Sequence, residues 1–137
     1  MTSLTCPACK DQPVEEIFDR DVPFLGCTAC FGLFVTPDNL AAYVERASGE
    51  RKIVESYREL LAAAGDGTKT QGKRACPRCG QGMVRIGFGD SPFVVLDRCA
   101  EHGLWLDRKE LKRVIRAARG HAAAQGHVFT SVDDDDD

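Results

Sequence analysis

A small α+β fold, built from two copies of one unit that is a β-hairpin followed by an α-helix, is what this sequence predicts. Three observations predict it. Cysteines fall in pairs with two residues between partners. The text after the second pair of each set repeats. Within each set, two β-forming runs flank a turn.

The pairs are Cys6/Cys9, Cys27/Cys30 and Cys76/Cys79, with Cys99 and His102 as the fourth. Between Cys9 and Cys27 lie 17 residues, and between Cys79 and Cys99 lie 19. Two ligands on one tight turn can bite one ion. A hairpin that brings a second such turn alongside completes a tetrahedron, and this spacing reads as zinc. Cys6, Cys9, Cys27 and Cys30 are assigned to one zinc ion; Cys76, Cys79, Cys99 and His102 are assigned to a second. Buried free thiols and a redox-active C-x-x-C pair are the alternatives. A crossed arrangement is a third, although each repeat already holds a complete set. Seven cysteines is an odd number, which argues against a full disulfide framework. Units of about 35 residues bury too little surface to fold alone. Metal binding, worth about 10–16 kcal/mol in such peptides, settles the balance.

The elements follow in order. "VEEIF" and "VPFLG" flank the turn "DRD" (19–21), which makes the first hairpin. "CFGLFVTPDNL" (30–40) then starts a helix, with Thr36 as N-cap and Pro37 at the first helical position. Leu40, Val44 and Ala47 keep helical spacing, and so do Val54, Tyr57, Leu61 and Ala64. Gly49 between them predicts a break, and a second helix to Ala64. "GDGTKTQGK" (65–73) reads as a flexible linker. "MVRIGF" and "FVVLDR" flank "GDSP" (89–92) as the second hairpin. "HGLWLDRKEL" (102–111) repeats the earlier segment if Phe31 is one extra residue: Gly32 matches Gly103, and Phe34 matches Trp105. Asp107 and Glu110 resemble a capping box, opening a helix from 108 to 119 that stops at Gly120. Gly80 after Cys79 suits a left-handed residue; Lys10 holds that place in the first unit, at some strain. The expected division is 1–47, an added helix at 48–64, a linker at 65–74, a second unit at 75–120, and a disordered tail at 121–137.

Residues 76–111 resemble the TFIIB-type zinc-finger family of small zinc ribbons. The resemblance rests on Cys76, Pro77, Cys79, Gly80, Leu96, Asp97, Arg98, Cys99, Gly103, Trp105, Leu106, Asp107, Glu110 and Leu111. His102 stands where the family has a fourth cysteine, with one residue deleted before Gly103. Residues 6–44 look like a degenerate copy that lacks the Trp, the Asp cap and the Glu. The resemblance implies a metal-stabilised ribbon with a link to transcription.

The net charge of −3 hides strong segregation. Residues 1–68 carry −5, residues 69–132 carry +7, and the final five aspartates carry −5. Lys109, Lys112, Arg113, Arg116 and Arg119 cluster on the last helix, an electrostatic footprint for phosphate; a solvated helix face is the bland reading. Nucleic acid is the leading partner, and transcription machinery is close behind. The "DDDDD" run (133–137) would compete with phosphate for that helix, or act only as a solubility tail. The apolar stripe of helix 50–64 suggests the alternative, a protein–protein interaction adaptor without nucleic-acid contact. A redox or zinc-hydrolytic enzyme is the third class. Closed ligand sets argue against it, since catalytic zinc keeps an open position. His121 and His127 are expected in the tail, exposed to solvent. Trp105 and Phe34 are expected to pack the hairpin against the helix rather than stack on a ligand. No apolar run approaches the ~20 residues of a membrane span. "MTSLTCPACKDQ" does not read as a secretory signal, so the expected compartment is the cytoplasm.

Overall fold

In a computed structural model of the chain, residues 5–9, 12–66, 70–89 and 93–126 are described. Lys10, the turn residues 90–92, His127 and the aspartate run therefore lie outside the described residues.

The first hairpin pairs β1 (Val14–Asp19) with β2 (Val22–Cys27). Arg20 and Asp21 make its two-residue turn, both at positive φ (52° and 65°). That is the turn whose twist matches the strands it joins. The polypeptide then passes the second ligand turn into β3 (Gly32–Val35), which pairs with β2. In the second unit, β4 (Thr70–Ala75) pairs with β5 (Gly82–Phe88), β5 with β6 (Val94–Cys99), and β6 with β7 (Gly103–Asp107).

The two units are not separate bodies. β3 pairs antiparallel with β7, which gives one seven-stranded sheet in the order β1-β2-β3-β7-β6-β5-β4. The register sets Gly32 opposite Asp107, Leu33 opposite Leu106, Phe34 opposite Trp105 and Val35 opposite Leu104. Phe34 and Trp105 occupy the same position in the two repeats. A pseudo-twofold axis therefore passes between them, and the tandem repeat folds as an intramolecular dimer.

Successive strand residues point to opposite faces. Leu33, Val35, Leu104 and Leu106 point into the larger core, under the helices. Phe34 and Trp105 point to the other face and form a second core with Cys6, Val14, Cys27, Cys76 and Met83. Covering both faces explains why all four residues of β3 are buried. The two aromatics are core residues, as expected, but they pack the ligand turns and not the helices.

Three helices cover the first face. α1 (Pro37–Ser48) is capped by Thr36, whose hydroxyl accepts from the Asn39 N–H at 3.1 Å. It ends at Gly49, in the left-handed region at φ 71°. The expected break there is present, and α2 (Arg51–Asp66) follows. α3 runs from Arg108 to Ala124. α1 packs on β2, α3 packs on β6 and β7, and α2 lies against α1, α3 and β5.

Four expectations need correction. The segment read as a linker, 65–74, is strand from Thr70 onward, because its backbone pairs with β5. α3 does not stop at Gly120. Ala122 is fully buried and His121 Nε2 lies 2.9 Å from Glu59 Oε1 on α2, which together offset the ~1 kcal/mol cost of a helical glycine. His121 is thus a half-buried residue between α2 and α3, not part of a free tail. Finally, the apolar stripe of helix 50–64 is no open docking surface. Ile53, Tyr57, Leu61 and Ala64 are buried within the chain, and the Tyr57 hydroxyl donates to the Pro37 carbonyl at 2.8 Å.

Candidate metal centres and basic face

Each ligand turn is shaped by its own sulfur. The N–H groups of Ala8 and Cys9 both point at Cys6 Sγ, at 3.3 Å, and that of Arg78 points at Cys76 Sγ at the same distance. Ala29 N–H points at Cys27 Sγ at 3.4 Å. Such donors stabilise thiolate, the form that binds metal. In two of the turns the residue after the second cysteine closes the turn in the left-handed region. Gly80 does so at φ 76°, and its N–H donates to the Cys76 carbonyl at 2.8 Å. Phe31 does the same at φ 63°, donating to the Cys27 carbonyl at 2.8 Å. The Cys99–His102 turn is one residue shorter, and His102 N–H donates directly to the Cys99 carbonyl at 3.2 Å.

The structure gathers the eight assigned ligands into two groups, Cys6/Cys9/Cys27/Cys30 and Cys76/Cys79/Cys99/His102. Within each group all ligand atoms lie within 4.8 Å of one another. Sulfur pairs stand 3.7 Å apart for Cys6–Cys30, 3.9 Å for Cys9–Cys27 and 3.8 Å for Cys79–Cys99. His102 contributes Nδ1, 3.5 Å from Cys99 Sγ and 3.8 Å from Cys76 Sγ. A tetrahedron with metal–sulfur bonds of about 2.3 Å has sulfur–sulfur edges of about 3.8 Å, so both groups fit a four-coordinate thiophilic ion. Neither group mixes ligands from the two repeats, which disposes of the crossed arrangement.

The thiols are unequal. Burial raises Cys27, but N–H donors from Cys30 and Ala29 outweigh it and bring the thiol down to about 7. Cys99 also reaches about 7: burial raises it, and the Glu101 N–H and the His102 ring lower it further. Desolvation and the neighbouring thiols push Cys9 up to about 12, and burial pushes Cys76 up to about 11.

The basic residues of α3 sort into a row and an outlier. Lys109, Lys112, Arg113 and Arg116, together with Arg108, line one open concavity of about 460 Å³. Arg119 is half-buried and is not among the residues lining it. A second concavity, of about 530 Å³, adjoins the row through Arg108 and Lys109 and is completed by Cys30, Phe31 and Asp107. The pairing of Gly32 with Asp107 is what brings the first unit's ligand turn beside the second unit's helix. Sequence reasoning missed Phe31 as a surface feature; its only signal was that the first repeat is one residue longer there. Among the described residues no helix is long and apolar enough to cross a membrane.

Residues 75–117 match the model of the transcription factor zinc-finger family, the TFIIB-type zinc ribbon. The matched segment covers β5, β6, β7 and the first part of α3, about a third of the chain, and is similar to a ribbon of that type. The first unit, with its own four-cysteine group, fits as a degenerate tandem copy. No curated protein and no solved structure matches the chain.

Proposed function

We propose that this chain is a nucleic-acid-binding module held together by two structural zinc ions, and that its binding surface is the basic face of α3. Zinc is the ion that suits four thiolates, or three thiolates and an imidazole, at tetrahedral spacing. The protein supplies four ligands to each ion. A water or substrate therefore has no position on the metal, and the ions serve the fold and not a reaction. The similarity of the second ribbon to the transcription factor zinc-finger family supports a link to transcription.

The observation that carries the reading is the row on α3. Arg108, Lys109, Lys112, Arg113 and Arg116 project from one exposed face into one concavity. Cations so placed displace condensed counterions from a phosphate backbone, a sequence-independent source of affinity that falls steeply with salt.

The test is a fluorescence-anisotropy titration of the zinc-loaded protein against labelled oligonucleotides, from about 50 mM to about 200 mM salt. Binding should weaken along a straight line in log–log form. Lys109→Glu, Arg113→Glu and Arg116→Glu should each flatten the line by about 0.9 for every phosphate of duplex DNA that is no longer neutralised. No binding at the low-salt end would overturn the reading.

A further inference from the structure

Phe31 is not explained by the packing of either core. Its ring is 55% exposed, so it contributes little to either core. Its backbone sits at φ 63°, where a bulky residue is an outlier. The equivalent place in the second unit's first turn holds Gly80, at φ 76° with the same 2.8 Å closing hydrogen bond. Glycine would therefore close this turn without strain. After the Cys99–His102 turn, too, the next residue is a glycine at positive φ, Gly103 at 152°. Backbone strain of this kind persists where the side chain it presents has a use.

The surroundings indicate the use. The Arg108 guanidinium lies over one face of the ring, its carbon 5.6 Å from the centroid, which leaves the opposite face for a base. The rest of the ring borders the concavity formed with Cys30, Asp107, Arg108 and Lys109. From Arg108 and Lys109 the basic row continues along α3 through Lys112, Arg113 and Arg116. An exposed aromatic at the head of a cationic track is what a single strand needs: a platform for an unpaired base, then charges for successive phosphates. A duplex keeps its bases stacked inside and has no face to offer the ring.

We infer that the ligand is single-stranded nucleic acid, with a base stacked on Phe31 and the following phosphates on the basic face of α3. This rests on the nucleic-acid reading of that face and specifies its ligand. The site is composite, since the platform belongs to the first ribbon and the track to the second. The β3–β7 pairing creates it.

The test uses the full zinc-loaded chain, a labelled oligothymidylate strand and a duplex of equal length. The wild type should prefer the single strand. Phe31→Ala should weaken single-strand binding about tenfold, in line with the stacking contribution of one base, and leave duplex binding unchanged. Phe31→Trp should retain single-strand affinity. Phe31→Gly, which relieves the backbone strain, should fold at least as well as wild type, retain both metals and still lose the single-strand preference. Equal binding of both forms, with no effect at position 31 but a loss on Arg113→Glu, would overturn the stacking inference and leave the basic-face reading standing. No binding of either oligonucleotide would remove both, and would turn the Phe31 patch towards a protein partner.

Discussion

Phe34 and Trp105 face each other across the β3–β7 seam, and each ring reaches towards the glycine that opens the other repeat's strand. A Cβ on Gly32 would overlap the Trp105 indole. A Cβ on Gly103 would lie 3.3 Å from Phe34 Cζ and closer still to the Val35 carbonyl. The glycine and the aromatic two residues later are thus one device used twice, each half fitting the other copy.

Gly32→Ala should therefore be costly. The indole is 1% exposed and has nowhere to move. Overpacking of this kind costs about 1–3 kcal/mol. Gly26→Ala is the internal comparison. Its nearest neighbour, at 2.9 Å, is the terminal methyl of the half-buried Ile17, which can turn aside. Denaturant melts of the metal-loaded proteins should rank Gly32→Ala well below Gly26→Ala; equal stabilities would refute the close-packed seam.

Trp105→Ala should lose about 3–5 kcal/mol, the usual cost of emptying a buried aromatic site. Because the ring is shared between repeats, the loss should not stay in the second. A double-mutant cycle with Phe34→Ala should show a coupling energy above about 0.5 kcal/mol, since the two are cross-strand partners in one buried cluster. Additive losses would mean that the two ribbons fold independently.

Elemental analysis should find two zinc ions per chain, and Cys27→Ser or Cys99→Ser should remove one. Chelation should unfold both units together, since the sheet is continuous. Metal uptake displaces protons, so affinity should rise with pH. The rise should be steeper below about 7, where Cys27 and Cys99 still hold protons that the metal must displace, than above it. Uptake independent of pH between about 6 and 8 would contradict thiolate ligation.

Tyr57→Phe removes one hydroxyl that ties α2 to the start of α1. The expected loss is about 1 kcal/mol, the net worth of an ordinary hydrogen bond. Metal content should be unchanged, because Tyr57 belongs to the helix-side core. A change in zinc stoichiometry would show that the two faces of the sheet are more tightly linked than the packing suggests.

The sequence by itself determined what short-range chemistry encodes. Ligand turns, the Arg20–Asp21 turn, the Thr36 cap and the break at Gly49 each depend on a few adjacent residues with few conformational options. Both ligand sets were legible for that reason, since two residues between ligands admit few geometries. Only the tertiary structure decided that the repeats join edge to edge. Residues 32–35 and 104–107 are far apart in sequence, and an all-apolar strand buried on both faces carries no alternation to announce its partner. The same pairing buried α2 against the second unit's β5 and set Phe31 beside Arg108. Those neighbours depend on long-range register, which local residue pattern does not record.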